Sequence, residues 1–162
     1  MQWIGVETPM GRVLLALSSR GLYRSTLPGH EDPEFWREVG STPETDGIGE
    51  GYVTWLWNYF AGADPGKTPP LAPRGTEFAR RVRRVVVEIP PGSTMSYGEV
   101  ASQAKSPGAA RAVGTVMAQN PFPLFVPCHR VVRSDGDIGR FGGGRAMKMQ
   151  LLERDRMCGF SR

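Results

Sequence analysis

The chain has 162 residues, enough for one good core or two small cores packed together. With 40% hydrophobic and 22% charged residues it has the balance of a soluble globular protein, and no apolar run approaches the roughly 20 residues that span a bilayer. Two cysteines exclude a disulfide framework, and the start, Met-Gln-Trp-Ile-Gly-Val-Glu, lacks a secretory pattern, so a cytoplasmic protein with free thiols is expected.

The net charge of +4 is unevenly spread. Residues 1–73 carry 5 Lys+Arg against 9 Asp+Glu, whereas residues 74–162 carry 15 against 7. A basic C-terminal half points to a polyanion, and 17 of the 20 basic residues are Arg, whose planar fork suits phosphate. A genome that favours Arg codons would give the same excess.

The N-terminal part reads as a β-meander: strands Gln2–Glu7, Arg12–Ser18 and Leu22–Leu27, joined by the turns Thr8–Gly11 and Ser19–Gly21. Residues 28–51, rich in Gly, Pro and acid, predict a mobile surface loop with at most a turn around Phe35 and Trp36. Tyr52–Ala61 places Val53, Leu56, Trp57 and Phe60 at helical spacing. Trp55 and Trp57 suit core and edge positions better than a stacking platform. Residues 62–73 form a linker, so the expected domains are 1–73 and 74–162.

Beyond the linker, Thr76–Ile89 predicts a helix capped by Thr76, with Phe78, Val82, Val85 and Val86 inward and Pro90-Pro91-Gly92 as the stop. Its pairs Arg80-Arg81 and Arg83-Arg84 are expected on the solvated face. Helices around Tyr97–Ala104 and Ala109–Gln119 then flank Lys105–Gly108, a helix-turn-helix pattern that is weak by itself. In the second of them Val113, Val116 and Met117 should face the core. Arg111, Thr115 and Ala118 should point outward beside Ala112 and Gly114, a small-residued face that suits either a close partner or close internal packing.

In Asn120–Val132 an apolar run leads straight into Cys128-His129-Arg130. An ionised cysteine is a strong nucleophile, and neighbouring His or Arg lowers its pKa. An isolated Cys-His pair is more often inert and buried. In a regular strand the two side chains would point to opposite faces, so a Cys–His contact needs a bend after Pro127 or a bridging water.

Val126-Pro127-Cys128-His129-Arg130-Val131-Val132 resembles the active-site signature of the O6-alkylguanine-DNA alkyltransferase family. Thr94–Ala101 resembles the family's tyrosine-bearing segment, and Ala109–Gly114 followed by Asn120-Pro121 its DNA-recognition helix and asparagine turn. Thr8–Gly11 and Tyr59–Gly62 resemble parts of its N-terminal domain. The likeness is close over about residues 75–155 and loose over 1–62.

The resemblance implies an α+β chain: a small RNase H-like N-terminal domain, then a helical winged-helix-type DNA-binding domain. It implies a suicide alkyltransferase that flips O6-alkylguanine out of duplex DNA and keeps the alkyl group on Cys128. Extrusion is required because O6 lies inside the base stack. By the same resemblance, His129 is the base acting through water, Asn120 links recognition helix to reactive segment, and Tyr97 protonates the leaving guanine. Ala110, Ala112, Gly114 and Thr115 face the minor groove, and Arg111 fills the gap left by the flipped nucleotide. Arg130 is expected among the DNA contacts. The carbonyls of Cys128 and Val131 recognise the guanine amino group, and Gly139–Gly144 with Phe141 closes the pocket. The expected partner is lesion-bearing double-stranded DNA, with no membrane, no cofactor and no metal; the protein is expected to be a monomer, cooperative or not on DNA.

Three positions depart from the family pattern. The residue that orients the histidine falls at Asp155, where a glutamate is usual, and Glu153 would sit about 200° away around the helix. Gly142 replaces a hydroxyl residue in the pocket loop, which predicts room for larger alkyl groups. Thr115 stands where the family often has glycine. His30 reads as a solvated residue and Cys158 as a bystander. Two other functions remain open: a non-catalytic damage sensor, against which Cys128 speaks, and a thiol hydrolase, which would need an oxyanion hole.

Overall fold

The computed structural model describes residues 1–30, 32–40 and 49–158. It is an α+β chain that divides into two compact units, Met1–Arg74 with Pro121–Pro123, and Gly75–Asn120 with Leu124–Arg162.

The first unit is built on an antiparallel meander of β1 (Gln2–Thr8), β2 (Gly11–Ser18) and β3 (Gly21–Ser25). Between β1 and β2, the Thr8 hydroxyl donates to the Gly11 carbonyl at 2.6 Å and accepts from the Met10 N–H. Gly11 has φ of 123°, and a Cβ there would meet the Gly29 Cα at 2.7 Å, so only glycine closes this turn. β3 stops two residues before the expected Leu27. The Thr26 hydroxyl accepts from the Leu14 N–H at 3.0 Å, taking the place of a ladder carbonyl.

Alternation along the strands buries Ile4, Val6, Val13 and Leu15 on one face. On the other, Ala16 packs with Phe35 and Val39, flanked by Trp3 and Leu14. Those two residues belong to α1 (Pro33–Val39), a helix where a loop over 28–51 was expected. Asp32 caps it by accepting from the Glu34 N–H, Pro33 fits its first turn, and Phe35 and Val39 supply its buried edge. Residues 41–48 of the expected loop lie outside the described residues.

α2 (Glu50–Phe60) packs along β1. Its buried stripe is Trp55, Leu56, Tyr59 and Phe60, whereas Trp57, placed on that stripe from sequence, is 60% exposed. The expected linker is also more ordered than a spacer. Leu71 bridges to Leu22, whose N–H and C=O pair with Pro70 and Ala72. Pro121–Pro123, expected in the C-terminal domain, belong with this unit: the Ser25 N–H donates to the Pro121 carbonyl and the Ser25 hydroxyl to that of Pro123.

The second unit contains α3 (Glu77–Val86), β4 (Met95–Ser96), α4 (Tyr97–Gln103), α5 (Ala110–Ala118), a 3₁₀ turn (Cys128–Arg130), β5 (Val131–Val132) and α6 (Arg145–Arg156). Val82, Val86, Val100, Ala101, Val113, Phe125, Val126, Val131 and Leu151 fill its core. Thr76 caps α3, and Ser96 with Glu99 forms a reciprocal capping box on α4. The arginines of α3 are not all solvated as expected. Arg83 is buried, and Arg81 donates to the Ala104 carbonyl at 3.1 Å, satisfying the C-terminal end of α4. β4 and β5 pair in parallel, so Met95-Ser96 sits beside Val131-Val132 and Tyr97 begins its helix next to the reactive turn. No helix among the described residues is long and apolar enough to cross a membrane.

Candidate active site

The apolar run reaches the thiol through a turn, and not along a strand. After Leu124, which holds a left-handed φ of 76°, the chain closes a 3₁₀ turn over Cys128–Arg130. The Arg130 N–H donates to the Pro127 carbonyl at 2.9 Å and the Val131 N–H to that of Cys128. Opposite-face geometry therefore does not apply to Cys128 and His129, and both are buried. Asn120 spans the turn from the end of α5, donating from Nδ2 to the Val126 carbonyl at 3.0 Å. Burial pushes the Cys128 thiol up, and a hydrogen bond to the Asn120 side chain and the charge of Lys148 pull it back.

Asp155, on the inner face of α6, lies within reach of His129 without any intermediary. Its Oδ2 is 2.9 Å from His129 Nε2, and the carboxylate also accepts a two-pronged bond from Arg130, Nε to Oδ2 at 2.7 Å and Nη2 to Oδ1 at 3.0 Å. Burial alone would raise this carboxyl. The bonds from His129 and Arg130 outweigh it and hold Asp155 well below the usual carboxylate range. An ionised carboxylate can only accept, so Nε2 carries the hydrogen and Nδ1 carries the lone pair. Burial lowers His129, against the pull of Asp155, which keeps the ring neutral at neutral pH. His129 Nδ1 is buried and forms no hydrogen bond among the described residues, leaving it as the free acceptor at the turn. Glu153, the weaker choice from sequence, is exposed and pairs with Arg156.

Arg130 corrects an expectation. It is only 5% exposed, and its remaining Nη1 donates to the Ile89 carbonyl at 2.8 Å. A side chain that spends its donors inside the unit does not present them to DNA; Arg130 belongs with Asp155.

On the other flank, Tyr97 is half-buried at the start of α4. Its phenol is raised, first by burial and then by the neighbouring Cys128, so it stays protonated at neutral pH. Gly139 approaches it closely: a Cβ there would lie 3.3 Å from the Tyr97 oxygen and 3.7 Å from Lys148 Nζ, and φ is 80°. Lys148 donates to the Val131 carbonyl at 2.8 Å. Phe141 is half-buried, and a Cβ at Gly142 would meet nothing within 4 Å.

α5 presents the opposite character. Val113 and Met117 are buried, while Arg111, Ala112, Thr115 and Ala118 are exposed and Ala110 and Gly114 are half-buried. The Thr115 hydroxyl donates to the Arg111 carbonyl at 3.3 Å, so its polar atom is turned back onto the helix. A Cβ on Gly114 would come within 4.0 Å of Tyr97 Cε1, which brings this helix against the tyrosine flank.

The family model for the DNA-binding domain of 6-O-methylguanine DNA methyltransferase matches residues 77–157. A methylated-DNA–protein-cysteine methyltransferase from Mycolicibacterium paratuberculosis is 47% identical over 93% of this chain and 90% of its own length. One from Mycobacterium leprae is 38% identical over the same shares. Among solved structures, Mycobacterium tuberculosis OGT in complex with DNA matches with a TM-score of 0.84 at 35% identity, covering 96% of this chain and 93% of that one. The chain belongs to the methylated-DNA–protein-cysteine methyltransferase family.

Within this member of the methyltransferase family, Cys128, His129 and Asp155 come together, with Asn120 and Tyr97 on either flank. Lys148 escaped the sequence reading. Its only signal was position: Lys148, Leu151 and Asp155 recur at helical spacing, which puts a lysine on the buried stripe of α6.

Proposed function

We propose that this protein repairs duplex DNA by taking the alkyl group from O6 of guanine onto Cys128, once and irreversibly. The observation that carries the reading is the buried Asp155–His129 pair, in which the carboxylate fixes the imidazole tautomer and leaves Nδ1 an unpartnered acceptor on the residue next to the buried Cys128.

His129 Nδ1 takes the Cys128 proton through a bridging water. The sulfur forms a bond to the alkyl carbon as the carbon–O6 bond breaks, and the electron pair leaves on the guanine. Tyr97, kept protonated by burial, gives that purine a proton, because a neutral purine leaves more readily than its anion. A thioether is a poor leaving group, so the product stays on the protein. The carbonyls of Cys128 and Val131 accept from the guanine amino group. Asn120 holds the turn that presents both.

Reaching O6 demands that the nucleotide leave the stack. The exposed α5 face, with Ala110, Ala112, Gly114 and Thr115, enters the minor groove, and Arg111 occupies the space the base vacates. In this reading α4 and α5 are the helix-turn-helix of a winged-helix-type module, the meander unit is a small RNase H-like domain, and the protein acts as a cytoplasmic monomer. The loop over Gly139–Gly144 closes the pocket with Phe141. The open space at Gly142 accommodates bulky alkyl groups, so O6-benzylguanine should react at least as fast as O6-methylguanine; a strong methyl preference would remove this point.

A duplex carrying radiolabelled O6-methylguanine tests the main reading. The label should move to protein and stop at one group per chain, however large the excess of DNA. Continued turnover would mean a hydrolase, and tight lesion binding without label on protein would mean a sensor.

A further inference from the structure

Alkyl transfer as proposed leaves one buried charge beside the reactive segment without a part. Lys148 has no exposed surface, and an ammonium is costly to bury unless its charge and its hydrogen bonds are both met. Its hydrogen bonds go to two main-chain carbonyls, Val131 on β5 at 2.8 Å and Arg140 on the pocket loop at 3.5 Å. No carboxylate among the described residues forms an ion pair with it. The charges that act on it are Cys128 on the reactive turn and Asp137 just ahead of the pocket loop, which attract, and Arg145 on its own helix, which repels. It acts in turn on His129. The Tyr97 oxygen shares its neighbourhood, since both atoms converge on Gly139.

We propose that Lys148 is a positioning residue of this site: its ammonium ties the Val131 carbonyl and the pocket loop together and supplies the positive charge against which the Cys128 thiolate forms. The proposal rests on the alkyl-transfer reading and adds a residue to it. Three features support it. Seven positions separate Lys148 from Asp155, about two helical turns, so one face of α6 delivers Asp155 to the imidazole and Lys148 to the Val131 carbonyl that follows the reactive turn. A carbonyl oxygen has two lone pairs, and Lys148 occupies one on Val131, which leaves the other directed for the guanine amino group. A buried thiol also needs a compensating charge if it is to ionise. His129 becomes cationic only as it takes the thiol's proton and the Arg130 guanidinium is engaged by Asp155, so Lys148 is the cation of this site already in place before that transfer.

Burial brings Lys148 down to about 8, with the opposing pull of Cys128 limiting the drop. That coupling is reciprocal, so neutralising the thiolate must ease proton loss from Lys148.

Two measurements decide the matter without DNA. The rate of Cys128 alkylation by iodoacetamide is followed against pH in wild type and in Lys148→Met, a variant of similar shape without the charge. The inflection should move up by about one pH unit, roughly a tenfold smaller thiolate fraction at neutral pH. An unchanged inflection in a variant that melts cooperatively would overturn the proposal. The second needs no variant: the Lys148 Nζ nitrogen resonance is titrated in wild type before and after S-methylation of Cys128. Its midpoint should fall on methylation, and an unmoved midpoint would overturn the proposal even if Lys148→Met fails to fold. Transfer from an O6-methylguanine duplex to wild type is scored in parallel. Its failure would strike the alkyl-transfer reading and leave both titrations readable.

Discussion

Two networks of charged side chains, one in each unit, use the same residue types to different ends. In the first unit Arg24 bonds Asp32 at 2.8 Å and Glu38 at 3.4 Å, and Arg74 joins Glu38 at 3.0 Å. Two cations meet two anions, each side chain 16–23% exposed, so water shares the work of solvation. In the second unit a single carboxylate, Asp155, serves both Arg130 and His129, with side-chain exposures of 1–6%. Burial outweighs the pull of Asp155, whose charge Arg130 shares, so His129 remains a neutral, oriented ring. The first network ties a helix and a chain segment to a sheet. The second sets a tautomer, which is chemistry.

The comparison can be broken most severely at Asp155. Asp155→Asn leaves the Arg130 guanidinium buried without a counter-ion, which should cost about 3–5 kcal/mol of stability by denaturant unfolding. Alkyl transfer should fall with it, because the amide no longer selects the Nε2–H tautomer. The same variant changes the acid limb of stability. Asp155 and His129 are both depressed in the folded protein, so each contributes stability that is present above its unfolded value and lost as pH falls. Wild type should therefore weaken from about pH 6.5 downward as unfolded histidine gains its proton, then further as Asp155 is protonated. In Asp155→Asn the carboxylate part of that slope should vanish; an unaltered slope would mean that the pair does not govern acid stability.

Asp155→Glu asks a finer question. The aspartate already reaches His129 at 2.9 Å, so the extra methylene must be forced into a filled site. We expect a loss of about 1–3 kcal/mol and no gain in transfer rate. A faster, equally stable variant would mean that the shorter side chain compromises the histidine. Least should happen at Glu38→Gln in the first unit, where melting should register at most about 1 kcal/mol and alkyl transfer should not change. A large loss there would erase the distinction between the two networks.

Much of this was legible in the sequence, for identifiable reasons. Turn residues at Thr8–Gly11 and Ser19–Gly21 punctuate the meander, and Thr76 announces its helix by capping. Asp155 was reached through the family resemblance, as the position after Leu151-Leu152 that orients the histidine, and helical spacing served only to set Glu153 aside. The misses arose where local pattern yields to tertiary contact. α1 carries its own cap signal in Asp32-Pro33-Glu34, but Gly and acidic residues around it obscured a seven-residue helix held by Phe35 and Val39. The Cys128–Arg130 turn was legible only as one of two options, a bend after Pro127, because the apolar run before it reads equally well as a strand. Arg130 and Lys148 were misjudged or overlooked because charge predicts exposure, and both are buried by partners far along the chain.

The central claim, that Cys128 receives the alkyl group, is tested most directly by mass. After incubation with a duplex containing O6-methylguanine, intact-protein and peptide mass spectrometry should find one added methylene unit on the peptide holding Cys128, and none in Cys128→Ser. An unmodified Cys128 in protein that binds the lesion tightly, or the added mass on Cys158, would contradict it.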